Sequence, residues 1–131
     1  MPYTTEFIDD GRGIVHVGTG IVHGHEILAS ARTDRESPER MAKVTHGLVD
    51  LTRVTELKMS VDDLRRITME HRMTAKAAPR AVIAVVAPRD HVFGMARMWE
   101  AFATEIGWTI RVFRERGAAE TWLRETLNQT A

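Results

Sequence analysis

The sequence predicts an α/β domain built on a mixed sheet with a parallel portion, flanked by helices. Three observations predict it. The run Ala81-Val82-Ile83-Ala84-Val85-Val86 is continuously apolar, as in a strand covered on both faces between helix layers. From residue 24 onward, apolar stripes of helical period alternate with short strand-like segments. The chain also opens on two strand-like segments around Asp9-Asp10-Gly11-Arg12-Gly13, and Asp-Gly supplies the positive φ of a tight hairpin. The expected order is β-β-α-β-α-β-α-β-α, a hairpin leading into right-handed crossovers.

Residues 3–9 and 13–19 are the hairpin strands, the second carrying the β-branched Ile14, Val15 and Val17. Residues 24–35 form a helix on the stripe Ile27, Leu28 and Ala31, ended by Ser37-Pro38. Residues 44–52 are a strand, with Val44, Leu48, Val49 and Leu51. Residues 60–73 form a helix with Val61, Leu64, Ile67 and Thr68 on one face. After the apolar strand at 81–86, Asp90 caps a helix to about residue 106, and Gly107 stands where a left-handed residue closes it. Residues 108–113 alternate with period two as a strand, and 117–128 form a last helix burying Ala119, Trp122, Leu123 and Leu127.

Composition narrows the function. The 131 residues suit a single domain, 1–131, with one core of its own. Eighteen basic residues balance eighteen acidic ones, so no broad field is offered to nucleic acid or to an anionic membrane. Low net charge also leaves copies free to associate. With no cysteine there is no disulfide, thiolate nucleophile or thiolate metal site. Met1-Pro2-Tyr3 is not followed by a basic-then-apolar leader, and no apolar run has membrane-spanning length; the cytoplasm is the expected location.

Three stretches carry a family resemblance: Leu48-Val49-Asp50-Leu51-Thr52-Arg53-Val54-Thr55-Glu56-Leu57; Val85-Val86-Ala87-Pro88-Arg89-Asp90-His91-Val92-Phe93-Gly94-Met95-Ala96-Arg97-Met98; and Val112-Phe113-Arg114-Glu115-Arg116 with Ala119-Glu120-Thr121-Trp122-Leu123. Read as strand and polar loop, strand with loop and helix start, and strand with charged turn and closing helix, they resemble the SpoIIAA-like branch of the STAS-fold, anti-sigma-factor antagonist-like proteins. These are small bacterial proteins mostly without an assigned activity. The resemblance implies a STAS-like domain and a regulatory, protein-interaction role. In the antagonists a Ser in an Asp-Ser-Ser-Gly-like sequence opens the second helix and is phosphorylated. Here the stretch reads Lys58-Met59-Ser60-Val61, with Lys for the Asp and Val for the Gly.

Ser60 is thus the phosphoacceptor candidate, with Thr55 and Thr52 as alternative hydroxyls. A phosphate there would meet the free N–H groups of a helix start. The competing reading makes Ser60 an N-cap in a near capping box with Asp63. Thr52, Arg53, Arg89 and Asp90 are expected together beyond the strand C-termini, where open α/β sheets bind ligands; Arg89 there either holds an anion or pairs with a carboxylate. STAS domains resemble CRAL-TRIO lipid-binding domains in arrangement, which implies an apolar ligand with an anionic head as an alternative function.

Gly18-Thr19-Gly20-Ile21-Val22-His23-Gly24 is a variant of a dinucleotide fingerprint. Asp50 stands too far on for the acidic partner expected about 20 residues later, so the stretch is read as a strand-to-helix turn and no cofactor is expected. His16, His23 and His25 contain too little spacing logic for a metal set, and no metal is expected. No nucleophile–base pair or carboxylate pair stands out, which argues against an enzyme. On the helix at 90–106, Phe93 and Met98 fall off the inward stripe, and with Met69 and Met73 they form a candidate interface for a homodimer or a regulatory partner.

Overall fold

The computed structural model describes residues 2–130. Its strands are β1 (Tyr3–Ile8), β2 (Gly13–His23), β3 (His46–Lys58), β4 (Val82–Val86) and β5 (Thr109–Phe113). Its helices are α1 (Gly24–Arg35), α2 (Pro38–Met41), α3 (Val61–Thr74), α4 (Asp90–Phe102) and α5 (Arg116–Thr130). The sheet order is β1-β2-β3-β4-β5, with β1 antiparallel to β2 and every other pairing parallel. The expected mixed sheet with a parallel portion is present.

Because each crossover moves one strand further in the same direction, a single handedness places α1, α3 and α4 on one face. Leu64 of α3 and Val92, Ala96 and Trp99 of α4 share the main core with Leu51, Ile83 and Val85. The other face is covered by α5, whose Ala119 and Leu123 meet Leu48, Val82, Ala84 and Val86. β4 lies between β3 and β5, and all five of its residues are buried. The continuous apolar run is explained by these two layers.

Five local expectations are corrected. β2 does not end at residue 19 but continues to His23, so Gly18-Thr19-Gly20 lies in a strand rather than in a strand-to-helix turn. A Cβ on Gly18 would come within 2.8 Å of Val54, and Gly20 has φ +66° beside a register shift. These glycines serve close strand packing and a bulge. β3 likewise runs on to Lys58, through the stretch read as a polar loop. Two bulges each add a residue to β3, between its pairings at Asp50 and Arg53 and between those at Val54 and Glu56. The buried residues therefore fall at Leu51, Val54 and Leu57, every third position, and the period-two signature disappears.

The break at Ser37-Pro38 opens a further helical turn, α2, with Pro38 at its first position and Met41 buried. Asp90 is the first residue inside α4, while Arg89 occupies the N-cap without a side-chain bond. The regular α-helix stops at Phe102 and continues as a 3₁₀ turn over Ala103–Ile106, ended by Gly107 at φ +96°. At the hairpin, Asp9, Asp10 and Gly11 all take positive φ, as the Asp-Gly signal implied.

Candidate functional site

Ser60 is the N-cap of α3. Its hydroxyl accepts from the Asp63 N–H at 3.0 Å, and the Ser60 N–H donates to Asp63 Oδ2 at 3.0 Å, a complete capping box. Thr55 is exposed on β3. Thr52 is bound locally: its N–H and hydroxyl donate to Asp50 Oδ1 at 2.9 and 2.6 Å. Asp50 is buried and also accepts from Arg116 Nη1 at 2.7 Å. Burial pushes the Asp50 carboxyl up, but Thr52 and Arg116 more than offset it and hold it below the usual carboxylate range. This tie between β3 and the start of α5 was missed in the sequence, because Asp50 and Arg116 are far apart along the chain.

The four crevice candidates are exposed: Thr52 and Arg53 on β3, Arg89 and Asp90 at the start of α4. Asp90 pairs with Arg114 at 2.8 Å, not with Arg89. Arg114 also lies 4.2 Å from the ring centre of Phe93. Of the interface candidates, Phe93 and Met98 are half-buried against the main core, whereas Met69 and Met73 are exposed.

A largely apolar concavity lies elsewhere. Between the sheet and the α1/α3/α4 layer is a cavity of about 100 Å³. Val49, in the middle of β3 and between the buried Leu48 and Asp50, is only half-buried because it faces this space. The cavity wall is mainly apolar, with Ile27, Leu57, Met59 and Met95 among its residues. A groove between β1 and α1 adjoins it, and Tyr3, Ser30 and Asp34 line both.

Polar groups cluster where cavity and groove meet. His16 Nδ1 lies 2.7 Å from the Thr5 hydroxyl, which lies 3.3 Å from that of Ser30. His16 Nε2 is 3.8 Å from Asp34 Oδ2, and Tyr3 stacks on the His16 ring. Deeper in, His71 Nδ1 accepts from Trp99 Nε1 at 3.1 Å, with Trp108 on its other side. Burial lowers the His16 pKa to about 4 and, with the nearby His16, that of His71 to about 3. Burial raises Asp34 to about 6 despite the opposing pull of Arg40. Burial and the Asp34 charge push the Tyr3 hydroxyl up.

In the sequence His16 stood out only as a metal ligand, His71 was one of the scattered histidines, and Tyr3 and Asp34 were passed over. The available signal was a polar residue on an apolar stripe: Asp34 follows Ile27 and Ala31, and His71 follows Leu64 and Ile67. The rings of His23 and His25 lie tilted against each other at the start of α1, with centres 5.3 Å apart. Among the described residues no group of three or more His, Cys, Asp or Glu is arranged to hold a metal ion.

No family model matches the chain, and no curated protein matches it. Solved structures do. SpoIIAA, an anti-sigma factor antagonist in its unphosphorylated form, aligns with a TM-score of 0.56 at 12% identity, over 93% of this chain and 97% of that one. An uncharacterised protein of the DUF3478 family with a SpoIIAA-like fold, from Shewanella loihica PV-4, aligns with a TM-score of 0.57 at 19% identity, over 92% of this chain and 91% of that one. The chain has the SpoIIAA-like, STAS-type α/β fold.

Proposed function

We propose that the chain is a non-catalytic regulatory domain that works by binding protein through α3, with a second copy of itself as the first partner. The observation that carries this reading is where the apolar surface lies. Five large apolar side chains are exposed among the described residues, and Val61, Met69 and Met73 of these are on α3. No other helix carries one. Met69 and Met73 are 65% and 46% exposed and, four residues apart, share one face. Methionine repacks readily against varied surfaces, and clustered apolar exposure marks interaction sites.

The likeness to an anti-sigma factor antagonist supports a role played through protein contacts. The zero net charge places no long-range barrier between copies. A two-fold arrangement would set the same methionines against each other. Among the described residues, no helix is long and apolar enough to cross a membrane.

Sedimentation velocity tests the reading. The wild-type protein should sediment as a dimer at micromolar concentration, and Met69→Lys/Met73→Lys as a folded monomer with unchanged circular dichroism. A wild type that stays monomeric at the highest soluble concentration, or a double variant that still dimerises, would overturn it.

A further inference from the structure

A buried carboxylate without a hydrogen bond is costly, and native proteins rarely keep one. Asp34 is 9% exposed, yet among the described residues its carboxylate accepts no hydrogen bond; it faces His16 Nε2 at 3.8 Å. The Tyr3 hydroxyl and His71 Nε2 are likewise without a hydrogen-bond partner among the described residues. Among the described residues no fully enclosed polar side-chain atom lacks one. These three groups therefore open onto accessible space, and all three residues line the same cavity. The cavity supplies apolar walls and, from its mouth inward, Asp34, Tyr3 and His71 with hydrogen-bonding capacity unfilled.

We propose that this cavity is a binding site for a small amphiphile with an apolar body and a hydrogen-bond-donating head, an alcohol or an amine, received by the Asp34 carboxylate. The apolar body enters between Val49, Ile27 and Met95 and the two indoles, Trp99 and Trp108. Its size follows from the void: apolar cavities on the order of 150 Å³ take up benzene, so a cavity of about 100 Å³ holds roughly four carbon atoms. A longer tail would run out along the groove between β1 and α1.

Charge selects the head. The titratable groups around the mouth and the adjoining groove are Tyr3 from β1, His16 from β2, Glu26 and Asp34 from α1 and Arg40 from α2, with His71 from α3 deeper in. At neutral pH both histidines are neutral and Asp34 carries a negative charge. A second carboxylate would be repelled by Asp34, whereas an O–H or N–H donor completes its missing bond. The site is separate from the exposed methionine face of α3.

The test titrates the intact protein with n-hexylamine, n-hexanol and hexanoate at a pH where Asp34 is ionised. Trp fluorescence and backbone amide shifts report binding. Hexylamine and hexanol should saturate, with shifts centred on Tyr3, His16, Ala31, Val49 and His71, and hexanoate should bind at least about tenfold more weakly. Asp34→Asn keeps the shape and removes the charge, and should weaken hexylamine by about tenfold or more. Val49→Phe fills the void and should abolish binding of all three probes. If that variant fails to fold, Asp34→Asn alone decides. Absence of saturable binding by any probe, hexanoate binding as tightly as hexylamine, or Asp34→Asn leaving hexylamine affinity unchanged would each overturn the proposal.

Discussion

His71 stands on the buried face of α3, between two indoles, where its neighbours along the stripe, Leu64 and Ile67, are apolar. Its folded pKa of about 3 lies below the ordinary 6.5, so between those values the unfolded chain binds the proton and the folded chain does not. Stability from this group is complete above pH 6.5 and is lost as the pH falls through that window. His16, at about 4, acts in the same direction. Asp34, raised from 3.8 to about 6, acts oppositely, since its folded form takes up the proton first. Two histidines outweigh one carboxylate, so the urea midpoint should fall on acidification from pH 6.5 to 4. In His71→Gln, where an amide replaces the titrating ring, that fall should be shallower; parallel profiles for the two proteins would refute the assignment. At this scale the sequence showed polar residues on apolar stripes, but periodicity cannot say whether such a residue is satisfied in the core or faces a void. That depends on groups brought in from β1 and β2.

At the scale of elements, the legible ones had strong one-dimensional signals. β4 announced itself by a run apolar on both faces, α3 by its stripe and its Ser60 start, and the hairpin by Asp-Gly. The extension of β3 was hidden because bulges set its buried residues three apart, a spacing absent from the period-two strand template and shared with the helical one. The single turn of α2 was hidden because a proline that ends one helix can also open another. The capping box at Ser60 gives this scale its prediction. Ser60→Ala removes the acceptor for the Asp63 N–H at an exposed helix start and should lower stability by about 1 kcal/mol. Urea denaturation measures it, with Ser60→Asp expected to retain most of the stability because Asp also caps. An Ala variant as stable as wild type would show that the box contributes nothing.

For the whole molecule, the α/β class and the alternation of elements were readable, but the sheet order was not. Order is set by which edges pair, and strand composition does not encode that. The consecutive order found here has a consequence for function: three crossovers on one face leave a helical layer with α3 at its centre, in contact with both α1 and α4. That layer holds the exposed methionines outside and the cavity beneath, while α5 alone closes the opposite face. The four residues expected to form a crevice beyond the strand ends are exposed, and a largely apolar cavity lies under the helices.

All of this depends on β4 lying inside the sheet with a layer on either side. Native-state hydrogen exchange tests it most directly. The amides of Val82–Val86 should exchange only through global unfolding, with opening free energies equal to the urea-derived stability, and more slowly than those of the edge strand β1. Exchange at Val82–Val86 as fast as at Tyr3–Ile8 would contradict the architecture.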